Sequence, residues 1–152
     1  MKILVFALAI VMIMSTVSSY HTLTQPFRNS QDVFTYVTNG EHQIYILFLY
    51  NGNWAADEAH HLKARYDMEK KDLTKLIEKY GRDIHFSEIN VNSGDFRDLL
   101  QELGVNSVDL DRYPVTAVVD DSHGVWVHGP REYHRIAKII EDFAGNPDSH
   151  WY

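Results

Sequence analysis

Seven consecutive residues, 44–50 (IYILFLY), are apolar and rich in β-branched and aromatic side chains. Such a run predicts a strand covered on both faces, and therefore the middle of a sheet. From residue 55 to residue 80 there is no Pro or Gly, and Leu62, Tyr66, Leu73, Leu76, Ile77 and Tyr80 recur at spacings of three, four or seven before Gly81. That periodicity predicts a long amphipathic helix ending at a glycine.

Weaker signals fill in the remaining elements. SQDVFTYVTNG (30–40) sets Ser30 as a cap before Val33, Phe34 and Val37, then stops at Asn39-Gly40, which predicts a short helix. DIHFSEINV (83–91) alternates Ile84, Phe86 and, after a polar break, Ile89 and Val91, as a second strand would. Ser93 is expected to cap a helix carrying Phe96, Leu99, Leu100 and Leu103 and closed by Gly104. An irregular stretch leads to VTAVVD (115–120) and GVWVHG (124–129), which flank turn residues and predict a hairpin. A last helix is expected with Pro130 in its first turn, a face of Ile136, Ile139, Ile140 and Phe143, and a stop at Gly145.

The order helix, strand, helix, strand, helix, hairpin, helix predicts an α/β fold of three layers: a central mixed sheet flanked by helices. It occupies residues 30–145 as one domain. Residues 20–29, polar and broken by Pro26, read as a linker or an arm laid over that domain, and residues 146–152 as a tail.

Composition narrows the function. A net charge of -7, from 14 basic and 21 acidic residues, argues against nucleic acid or an anionic membrane surface as the main partner. The chain has no cysteine, which excludes disulfides, thiolate nucleophiles and Cys-ligated metals. Residues 1–19 place one Lys before an apolar run that closes on Val17-Ser18-Ser19, the pattern of a cleaved secretory signal. Residues 3–20 would also span about 27 Å as a helix, nearly a hydrocarbon core, so a retained anchor is the second reading. The first places the protein in the secretory lumen or outside the cell. The second places it on a membrane, endoplasmic reticulum or mitochondrial inner.

The central strand leads into NGNWAADEA (51–59), a strand-to-helix junction carrying a Trp. With ILFLYNGNW ending the first long strand, ELGV after the middle helix and YPVTAVVDDSHGVWVHG as the hairpin, the chain resembles the thioredoxin-like family over about residues 30–144. In that family the Trp precedes Cys-x-x-Cys at a helix N-terminus, where the positive end of the helix lowers the first thiol's pKa. The resemblance sets Ala55 at the nucleophilic Cys, Glu58 at the resolving Cys and Leu49 at the family's buried acid. Tyr113-Pro114 matches its cis-proline, which lies beside the thiols and exposes the preceding backbone to extended peptides. NSVDLDR (106–112), just before it, is longer than in typical members. The resemblance therefore implies a redox-inactive member lacking the Cys-x-x-Cys motif.

Other candidates have plain explanations. A carboxylate in a helix's first turn is favoured by the helix dipole, which accounts for Asp57 and Glu58. Asp57 and His61 share a helix face, but adjacent His60 and His61 diverge by about 100° and no third ligand stands at metal spacing, so neither metal nor cofactor is expected. Trp151 and Tyr152, aromatic on a polar tail, are expected to dock on their own domain or on a partner.

Together these readings give a non-catalytic protein-binding module. Its role is an accessory or scaffold subunit of a membrane-associated complex, or a lumenal peptide-binding, chaperone-like domain. Trp54, Ala55, Glu58, Tyr113 and Pro114 form its candidate groove. The alternative is a non-thiol enzyme using Trp54, Glu58 and Tyr113-Pro114.

Overall fold

The computed structural model describes residues 21–22, 27–40, 43–53, 60–80, 84–120, 123–129 and 132–145. They form β1 (His21–Thr22), α1 (Ser30–Thr38), β2 (Ile44–Tyr50), α2 (His60–Tyr80), β3 (Ile84–Asn90), α3 (Arg97–Glu102), α4 (Ser107–Leu110), β4 (Val115–Asp120), β5 (His123–His128) and α5 (Tyr133–Gly145). The sheet order is β1-β3-β2-β4-β5, so the apolar strand lies at its centre, as its composition predicts. β2 runs parallel to β3, from Ile44 opposite Ile84 to Tyr50 opposite Asn90. It runs antiparallel to β4, from Ile44 opposite Asp120 to Leu49 opposite Val115. The hairpin pairs Val115 with His128 and Asp120 with His123.

Period-two alternation sorts the sheet's side chains into two cores. Tyr45, Leu47, Leu49, Ile89, Ala117 and Val119 pack under α1, α3 and α4 against Val33, Val37, Phe96, Leu99 and Leu110. Ile44, Ile46, Phe48, Ile84, Phe86, Val118 and Val127 pack under α2 and α5 against Leu73, Ile77, Ile136, Ile140 and Phe143. The polar break in β3 marks the change of face. Ile84 and Phe86 serve the second core, Ile89 the first, and Glu88 is left facing α2.

Several local expectations are corrected. Asn29, not Ser30, caps α1: its side chain accepts from the Asp32 amide at 3.0 Å. Ser30 is instead the first helical residue and is buried. Ser93 caps no helix; its hydroxyl donates to the Asn90 carbonyl at 2.8 Å within a turn, and α3 starts at Arg97 with no side-chain cap from its own N-cap residue, Phe96. The stop at Gly104 is as expected. Its φ is +66°, Gly104 N–H donates to Gln101 O at 3.0 Å, and Val105 N–H to Leu100 O at 2.8 Å, the paired bonds of a Schellman ending. The stretch expected to be irregular contains α4, capped by Asn106. α5 is described from Tyr133, and Pro130, expected in its first turn, lies outside the described residues. Within the expected arm, His21 and Thr22 pair parallel with His85 and Phe86 and so extend the sheet.

Among the described residues no helix is long and apolar enough to cross a membrane. The expected signal or anchor, residues 1–19, lies outside them.

Candidate functional site

In an open sheet with parallel strands, ligands gather beyond the carboxyl ends of those strands. Here that end holds the loop after β2, the loop after β3 and residues 106–114. The side chains there bond to one another. Asn51 Nδ2 donates to Asp111 Oδ1 at 2.7 Å, and Asn92 Nδ2 donates to Asn51 Oδ1. Asn90 Oδ1 accepts from the Gly52 amide at 3.1 Å and the Asn92 amide at 3.2 Å.

The segment 106–112 is held from three sides. Asp111 meets Asn51 as above. Arg65 of α2 donates to the Arg112 carbonyl at 2.8 Å, and His128 Nε2 lies 3.1 Å from the Asp109 carbonyl. Leu110 is 3% exposed, so the segment contributes to the core. The Arg65 guanidinium also lies 4.4 Å from the Tyr113 ring centre, a cation–π contact, and His128 meets the same ring edge-on at 5.9 Å.

The space left beside Tyr113 and Pro114 is consequently small. Tyr50, Asn51, Leu62, Leu110, Tyr113 and Pro114 enclose about 10 Å³, room for one water at most. Among the described residues no peptide bond is cis, so Tyr113-Pro114 is trans, in contrast to the cis bond that the resemblance implies. Trp54, Ala55 and Glu58, the other members of that candidate groove, lie outside the described residues, as do Trp151 and Tyr152.

Beneath α2 lies a polar cluster that sequence reading missed. Tyr66 donates to Glu88 Oε2 at 2.6 Å, and the Lys70 ammonium meets Glu88 Oε1 at 2.6 Å. The Tyr66 ring packs 4.6 Å from that of Tyr50 and 5.6 Å from that of Phe48. Burial first, then the bond to Glu88, pushes the Tyr66 phenol far above its ordinary range. Burial, then the Glu88 carboxylate, raises Tyr50 as well. Both phenols therefore hold their protons near neutral pH and cannot act as bases there. The cluster ties α2 to β3. Among the described residues no three His, Asp or Glu side chains gather as a metal site would require.

The large recess lies on the other face of the sheet. A groove of about 660 Å³ opens between α1, α3 and the hairpin. Val119, Gly124 and Trp126 form its floor, Val33, Phe34 and Val37 one wall, and Leu99 and Leu103 the other. Thr38, Glu102 and His123 bring the polar groups. It exists because α3 is only 6 residues long and Gly124 adds no side chain above Val119. Trp126, opposite Ala117 in register, then remains half-buried at the core's edge. The sequence hint was a lone Trp out of phase with the inward Val125 and Val127.

No protein-family model matches the sequence, and no curated protein does. Solved structures do. Thioredoxin from Trypanosoma brucei brucei is similar at a TM-score of 0.55 and 7% identity, over 88% of this chain and 97% of that one. Oxidised mitochondrial thioredoxin 3 from Saccharomyces cerevisiae matches at 0.53 and 20% identity, over 84% and 99%. Oxidised thioredoxin O2 from Arabidopsis thaliana matches at 0.54 and 12%, over 82% and 94%. Identities this low carry the fold alone. The chain has a thioredoxin-like α/β fold and lacks the Cys-x-x-Cys motif.

Proposed function

We propose that this chain is a non-catalytic protein-binding module that uses the thioredoxin-like fold as a scaffold. One contrast carries the reading. The space at Tyr113-Pro114 is about 10 Å³, while the apolar groove between α1, α3 and β5 is about 660 Å³. An enzyme concentrates convergent polar groups in a concave site, whereas a docking surface offers apolar area with polar groups at its margin. The groove has the second character.

The absence of cysteine leaves no thiolate for disulfide exchange. The half-buried phenols of Tyr50 and Tyr66 supply no base near neutral pH. In this reading the partner is a protein that presents an apolar segment. The setting is an accessory subunit of a membrane-associated complex if residues 1–19 are retained, or a lumenal peptide-binding domain if they are cleaved.

The test is a comparison of variants in affinity capture from native membranes, each first checked for an unchanged melting temperature. Leu103→Glu, at the groove wall, is expected to abolish capture, because a charge would be desolvated on binding. Trp54→Ala is expected to leave it intact. The opposite pattern would move the binding surface to the junction after β2.

A further inference from the structure

We propose that the outer edge of β5 is a self-association surface, where a second copy of this chain adds its own β5 antiparallel about a twofold axis at Trp126. The surface lies in the plane of the sheet, beside the groove rather than in it. It therefore goes beyond the reading of the groove as a partner site and leaves that site open.

The edge is long and unguarded. Among the described residues β5 stands last in the sheet order and pairs with β4 alone. β1, at the opposite edge, is described over 2 residues, whereas β5 has 6. Edge strands are normally blunted by Lys, Pro, an inward-pointing charge or a bulge. HGVWVH has no Lys, Pro, Asp or Glu, and its register with β4 runs unbroken from Asp120 opposite His123 to Val115 opposite His128. Asp120 and His123 close the hairpin across two intervening residues, so theirs is a hydrogen-bonded pair, and bonded pairs alternate from there along the ladder. Val125 and Val127 therefore bond to β4, while Gly124, Trp126 and His128 turn their N–H and C=O groups outward.

The same residues complement themselves. A twofold interface demands that where residue i meets residue j, j also meets i. Centred on Trp126, the run GVWVH sets Val125 opposite Val127 of the second copy, Gly124 opposite His128, and Trp126 opposite Trp126. Each imidazole then faces a glycine, no like charges oppose one another, and the aromatic and β-branched pairs are of the kind that stabilise facing strands. Gly124 and Trp126 lie on the groove side of the sheet, and Val125 and Val127 on the side of the second core. An axis perpendicular to the sheet keeps those sides matched, so both apolar faces continue across the junction and the two grooves open side by side. A single strand pair is small among specific interfaces, under about 1,200 Å², so the association is weak and depends on concentration.

The test uses the full chain, whose lack of cysteine makes introduced thiols unambiguous. Gly124→Cys and His128→Cys are made as separate variants, and a Cβ at position 124 would stand 3.4 Å from Val119 Cγ2, an ordinary contact. Across the twofold the two thiols face each other at a Cα separation of about 5.5 Å, inside the disulfide range. Two copies of position 124 stand about 14 Å apart, outside it. Under mild oxidation an equal mixture should therefore form the mixed disulfide at least about tenfold faster than either variant forms its own. Sedimentation velocity of the native chain should show a concentration-dependent dimer, and Val125→Lys, which sets a charge in the middle of the edge, should weaken it at least about tenfold. Equal disulfide rates, an undiminished dimer in Val125→Lys, or a native chain still monomeric at about 1 mM would each overturn the proposal. Val125 faces away from the groove, so partner capture by Val125→Lys should match that of the native chain. A missing dimer with groove-dependent capture intact would overturn this interface and leave the groove's reading standing.

Discussion

The hydroxyl of Ser30 accepts a hydrogen bond from the Leu99 amide at 3.0 Å, so the first residue of α1 closes the N-terminus of α3. The same hydroxyl donates to the Asp95 carbonyl at 3.2 Å, and the Ser30 amide donates to that carbonyl at 2.9 Å. Phe96, at the cap position of α3, has no oxygen to offer, and Ser30 supplies it from 69 residues away.

Ser30→Ala removes that oxygen and leaves a buried amide without its acceptor. A loss of about 1–2 kcal/mol is expected, the size of a lost cap with an orphaned donor. Urea unfolding measures it, and an unchanged midpoint would show that water replaces the hydroxyl.

The Tyr66 phenol is raised well above its ordinary 10.0 in the folded state. Above that pH the unfolded chain releases the proton while the folded chain keeps it, so stability is full below about pH 10 and falls as pH rises further. Tyr80 is pushed up to about 12 by its bond to Glu141, but both groups are near solvent and add little. Tyr66→Phe should therefore flatten the decline in urea midpoint between about pH 9 and about pH 11. An equally steep decline in the variant would assign the effect elsewhere.

The elements that were legible from sequence carry their own signal. IYILFLY had to be buried on both faces, and Gly104 had to adopt a positive φ after α3. Capping was misread at Ser30 and Ser93 because each serine had a local alternative: Asn29 stood one residue earlier, and the Asn90 carbonyl was near Ser93. α4 was missed because 4 residues show no period. Tyr66 and Glu88 lie 22 residues apart, and nothing local announces their bond. The groove was hidden for the same reason, since it depends on where α3 stops above Gly124 and Trp126. The trans bond at Tyr113-Pro114 differs from the cis bond that the resemblance implied, and Arg65, Asn51 and His128 hold the long segment 106–112 before it.

If the junction after β2 keeps its strand-to-helix geometry, thiols placed there regain the family's electrostatics. Ala55→Cys with Glu58→Cys should give a first thiol titrating below the free value of ~8.5, because a helix N-terminus stabilises the thiolate. Thiolate absorbance reads it, and an unshifted thiol would count against that geometry. The native chain should show no turnover in an insulin-reduction assay.

The central claim is that the apolar groove, and not the pole at Tyr113-Pro114, binds the partner protein. A photo-crosslinking residue placed singly at Leu103, at Tyr113 and at Met68 in otherwise native chains, with irradiation in native membranes, tests it most directly. The account predicts one discrete partner adduct from position 103 and none from 113 or 68. An adduct from 113 with none from 103 would contradict it.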